Sequence, residues 1–113
     1  MVTIYQIQLT RDEVDWINSG VSLPKGEAYF ATMTFGSRRW NKENFKHYVP
    51  AYEVLTDDLE EAFEATNLWN KHPITDVLGD RGHSSSVGDI FEKDGTYYMC
   101  DSVGFTEVEV VND

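Results

Sequence analysis

The first positions alternate. Val2, Ile4 and Gln6 share one parity, and Tyr5, Ile7 and Leu9 share the other. β-Branched and aromatic residues at period two predict a strand over residues 2–9. Thr10-Arg11-Asp12-Glu13 then has the spacing of a capping box, in which Glu13 reaches back to the cap nitrogen. The helix it starts packs through Val14 and Ile17 and stops at Asn18-Ser19-Gly20. Residues 21–26 form a loop marked by Pro24 and Gly26. Residues 27–35 alternate again, with Ala28, Phe30 and Thr32 opposite Tyr29, Ala31, Met33 and Phe35, and so predict a second strand. A polar, basic stretch interrupted by Trp40 and Phe45 leads to a third strand over 47–55, where Pro50 implies an edge or a bulge.

Thr56 caps the clearest helix. At 100° per residue, Leu59, Ala62, Phe63, Thr66 and Trp69 form one stripe, and Asp57, Glu60, Glu61 and Glu64 form the opposite one. Pro73 restricts His72, so this helix ends near Asn70. Residues 71–82 read as a loop with a short apolar patch, Ile74, Val77 and Leu78. The remainder is punctuated as a β-meander: a strand over 87–91, an Asp94-Gly95 hairpin, a strand over 96–100, a turn over 101–104 and a last strand over 105–111. The expected fold is α+β, one domain spanning residues 1–113. It has a twisted, mainly antiparallel sheet of five or six strands with two packed helices.

Composition narrows what such a domain does. Nine Lys and Arg face twenty Asp and Glu in 113 residues, a formal net charge of −11. That balance opposes a role in gripping phosphate backbones or anionic membranes. Cys100 is the single cysteine, which excludes an internal disulfide and fits a reducing cytoplasm. No apolar run is long enough to span a bilayer, and no signal peptide is evident. His47, His72 and His83 are scattered without zinc spacing, so no metal or cofactor is expected.

Three groups of residues carry candidate chemistry. His83, Ser84, Ser86, Asp89 and Asp101 form the densest polar cluster: a base, nucleophiles and orienting carboxylates, or else side chains that tie down turns. Arg38, Arg39 and Trp40 have the composition of a single-strand nucleic-acid platform, which the overall charge disfavours, or of a charged loop with its tryptophan tucked inward. Asp57, Glu60, Glu61 and Glu64 form an acidic stripe suited to a basic protein surface, with Trp40 as an exposed anchor beside it. Its plain alternative is a solvated face. Trp16 and Trp69 are expected in the core.

The stretch Gly82-His83-Ser84-Ser85-Ser86-Val87-Gly88-Asp89-Ile90, followed by Tyr97-Tyr98-Met99-Cys100-Asp101-Ser102-Val103-Gly104-Phe105, resembles the YodL-like domain. Weaker likeness extends to Ile4-Tyr5-Gln6-Ile7 and to Tyr52-Glu53-Val54 with the helix after it. Gly88 departs from that family's pattern, which has a hydrophobic residue before the motif's aspartate. The resemblance implies a phage, plasmid or bacterial accessory protein with no assigned enzymatic activity. Taken together with the acidic charge, that context leads to the expectation of a small binding protein that docks on a host protein such as a defence nuclease or DNA-binding factor.

Overall fold

The computed structural model describes residues 1–67, 73–79 and 82–111. β1 (Val2–Ile7), α1 (Arg11–Asn18) and α2 (Pro24–Phe35) are followed by two 3-10 turns, Gly36–Arg39 and Lys42–His47. Then come β2 (Tyr48–Val54), α3 (Leu59–Thr66), β3 (Thr75–Val77), β4 (Ile90–Lys93), β5 (Thr96–Cys100) and β6 (Phe105–Val108). The six strands form one sheet in the order β3-β2-β1-β4-β5-β6, and every neighbouring pair is antiparallel. The α+β class and the antiparallel sheet are as the sequence patterns predict.

The alternating parities explain the layering, because successive strand residues point to opposite faces. Val2, Ile4, Phe91 and Cys100 bury one face against Ala62 and Ala65 of α3. Ile7, Ile90 and Met99 bury the other against Ala28 of α2 and Phe45 of the second 3-10 turn. The central strands are therefore covered on both sides.

Local chemistry sets the boundaries. The capping box forms: Glu13 N donates to Thr10 Oγ1 at 3.1 Å, and Thr10 N donates to Glu13 Oε1 at 2.8 Å. Asp94 and Gly95 both have positive φ, the geometry of a two-residue hairpin turn. At Pro50 the β1–β2 register shifts, so that Ile4 faces Tyr52 while Tyr5 faces Pro50, and Ala51 is the extra residue of a bulge.

Several expectations change. Residues 27–35 are not a strand: they belong to α2, which Pro24 opens from the first-turn position. Its apolar residues encircle it, so Ala28 and Thr32 are buried while Phe30, Met33 and Phe35 stay exposed. The two helices packed on the sheet are therefore α2 and α3, and α1 is an additional one. α1 buries none of its residues, and Val14 is exposed. The cap of α3 is Asp58, which accepts from Glu60 N and Glu61 N, while Thr56 accepts from Asp58 N. α3 ends at Thr66. Trp69 and Asn70 lie outside the described residues. Part of the predicted 71–82 loop pairs with β2 as the edge strand β3.

Candidate functional site

The polar cluster of residues 83–101 divides into two structural units. Gln6 organises the first. It continues the Val2–Ile4 parity of β1 and is fully buried. Its Oε1 accepts from His83 N at 3.0 Å, and its Nε2 donates to His83 O at 2.8 Å and to Asp89 Oδ2 at 3.0 Å. The side-chain amide thus pairs with the His83 backbone as another peptide would. Asp89 Oδ2 also accepts from Ser86 N at 3.0 Å, and Tyr52 Oη donates to His83 O at 3.0 Å. Tyr48 Oη donates to Gly88 O at 2.6 Å, and Ser85, also buried, shares a 2.5 Å bond with Thr66 Oγ1 of α3. Residues 82–89 therefore lash both helical layers to the end of the sheet.

Burial pushes the Asp89 carboxyl up to about 7, against the opposing pull of His83, the Ser86 amide and the Gln6 amide. The His83 ring approaches Ser84 O through Nδ1 at 2.9 Å. Its Nε2 is buried and has no hydrogen-bond partner among the described residues. Ser84 and Ser86 are exposed, and neither hydroxyl bonds the imidazole. A cavity of about 10 Å³ lies beside Asp89, between Ile7, Thr32 and Tyr48. That is room for one water at most.

Asp101 belongs to the second unit. Its carboxylate accepts from Ser37 N at 2.8 Å, from Ser37 Oγ at 2.7 Å and from Thr106 Oγ1. Burial raises its pKa, but these bonds and nearby Arg38 outweigh burial and hold it below the usual value. The residue fixes the first 3-10 turn to the β5–β6 turn. A base, a nucleophile and an orienting acid do not converge here as a nucleophilic triad requires.

The basic segment is corrected in one respect. Trp40 is half-buried, packs edge-on to Tyr48 at 5.8 Å and donates its indole N–H to Glu109 O at 2.6 Å. It is not an exposed anchor. Trp16, expected in the core, is 51% exposed instead. Arg39 lies over the Phe35 ring at 4.3 Å. With Trp40 and Phe35 so engaged, the platform reading of Arg38, Arg39 and Trp40 has no free ring on which a base could stack.

The acidic residues lie on and just before α3. Asp57 precedes the helix and pairs with the N-terminal ammonium at 2.9 Å, which holds its carboxyl below the ordinary value. Glu60, Glu61 and Glu64 are exposed on the outer side of α3, and none forms an ion pair among the described residues. Glu107 lies on the same side of the sheet, because it pairs with Tyr98, which in turn pairs with Phe91. Five of the nine cations lie between residues 25 and 46, in the layer on the other face. But α1 brings Asp12, Glu13 and Asp15 to that layer, and Glu53 and Glu92 share the parity of Tyr5 there, so acids lie on both faces.

Beside α3 a cleft of about 280 Å³ opens toward the β5–β6 turn. Glu60, Phe63, Glu64, Cys100 and Phe105 line it. The sequence stripes place Phe63 in the core and the glutamates in solvent, so only the tertiary structure reveals the groove they share with Phe105. Among the described residues no cluster of three metal-ligating side chains forms, and no described helix is long and apolar enough to cross a membrane. The chain matches no protein-family model, no curated protein and no solved structure.

Proposed function

We propose that this chain is a binding protein that docks on a protein with a basic surface through the acidic face of α3. The observation that carries this reading is the set of exposed carboxylates of Glu60, Glu61 and Glu64 on one helix, none of which forms an ion pair among the described residues. Charge gathered on one helix in this way steers an encounter and raises its rate, because the field reaches about 10 Å at 0.1 M salt. Surface carboxylates also cost little to desolvate partially at a polar interface rim. The resemblance to YodL-like domains is what favours a partner among host proteins met by a mobile element, with a defence nuclease or DNA-binding factor as the leading class. A positively charged groove built for nucleic acid would accept the acidic face as a competitor.

Affinity capture from a host lysate, with mass spectrometry of what is retained, tests the reading. The wild type is expected to enrich proteins with basic surfaces. A Glu60→Lys, Glu61→Lys, Glu64→Lys variant is expected to lose them. Identical partners at identical strength would remove the acidic face from the function.

A further inference from the structure

We propose that the cleft between α3 and the β5–β6 turn seats one arginine side chain of the protein partner. The inference rests on the docking reading above and names the group that α3 receives. Glu60 and Glu64 are four residues apart, so both carboxylates stand on one side of the helix, about 5–6 Å apart at their Cβ atoms. Both line the cleft, whereas Asp57 and Glu61 do not. Between them Phe63 supplies an apolar wall. Phe105 supplies the opposing surface, and its ring is held edge-on by Phe91 at 5.0 Å.

Among the described residues the remaining lining adds the Asp101 carboxylate and no cation. Asp101 spends its carboxylate on Ser37 and Thr106. Cys100 is buried, and burial beside Asp89 and Asp101 pushes its thiol up to about 12, so it stays neutral. The cleft therefore offers aromatic walls, two exposed glutamates and the hydrogen-bonded carboxylate of Asp101. That combination matches a guanidinium, which is flat, weakly hydrated and able to stack on a ring while pairing with a carboxylate through two parallel bonds. A lysine ammonium holds its water more tightly and cannot make the paired bonds. The volume, about 280 Å³, lies just below the range of drug-sized ligand sites, roughly 300–1,000 Å³. It suits one inserted side chain and not a folded element.

Fluorescence anisotropy at about 50 mM salt tests the assignment, with a labelled peptide of alternating glycine and arginine and its lysine counterpart. Wild-type protein is expected to bind the arginine peptide about threefold or more tightly than the lysine peptide. A Glu60→Gln, Glu64→Gln variant is expected to lose about tenfold in affinity. The charge-matched Asp57→Asn, Glu61→Gln variant is expected to lose less than about threefold. Phe63→Leu is expected to keep the fold, checked by circular dichroism, and to erase the arginine preference. Equal losses in the two charge-matched variants, or no arginine preference in the wild type, would overturn the cleft assignment and leave general docking by the acidic face in place. Wild-type protein that binds neither peptide would overturn the docking reading and this inference together.

Discussion

Gln6 and Asp89 show how single polar residues hold the loop that carries the most distinctive sequence motif. A glutamine on the buried parity of β1 is costly unless every polar atom finds a partner. Here it serves as a peptide surrogate for His83 and a donor to Asp89. The signal was visible in the sequence, since Gln6 interrupts the Val2–Ile4 pattern, but its partner 77 residues away was not. Asp89 gives a testable pH dependence. Its folded pKa, about 7, lies above the ordinary value of 3.8, so the folded state keeps a proton that the unfolded chain releases. Stability therefore declines as pH rises from about 4 to about 7 and levels off above that. The decline is on the order of 4 kcal/mol. Urea unfolding of wild type and Asp89→Asn at several pH values checks it. The variant is expected to lack this part of the decline, and parallel curves would exclude Asp89 as its source.

At the scale of elements, α2 is where period-two reasoning fails. Tyr29, Phe30, Ala31, Thr32, Met33, Thr34 and Phe35 are rich in residues that favour strands. Packing decides otherwise. Gly26 lets α2 approach Ile17 so closely that a Cβ there would come within 2.6 Å of Ile17 Cδ1. Thr32 turns its hydroxyl back onto Ala28 O at 2.9 Å. Gly88 then crosses directly over Thr32: its φ is +96°, and an added Cβ would lie 3.0 Å from the Thr32 carbonyl carbon. This contact explains why glycine precedes the motif's aspartate in this chain. Gly88→Ala is expected to cost about 2–4 kcal/mol in chemical denaturation, from left-handed strain and the collision together. Gly95→Ala, also at positive φ but with nothing near, is expected to cost only about 1–2 kcal/mol. Equal costs would remove the α2 contact as the cause.

At the scale of the whole molecule, charge dominates. A net charge of −11 on a body with a radius of gyration of 13.7 Å makes the folded state repel itself. Only two ion pairs form among the described residues, Met1–Asp57 and Lys25–Glu13. Screening should relieve more repulsion than it removes attraction. The thermal midpoint at pH 7 is therefore expected to rise by several degrees between about 20 mM and about 200 mM sodium chloride. Calorimetry that finds no change or a fall would mean that the carboxylates are already neutralised.

The sequence by itself determined the meander's order and its hairpin at Asp94-Gly95, though its first strand begins at Ile90 and its last ends at Val108, together with the capping box and the acidic side of α3. These depend on residues within a turn or two of one another, where propensity and period act directly. Only the tertiary structure decided that residues 27–35 coil and that Trp40 turns inward while Trp16 stays out. It also separated Asp101 from Asp89 and brought Phe63 and Phe105 together around one cleft. Those outcomes follow from contacts between segments tens of residues apart, which no local pattern encodes.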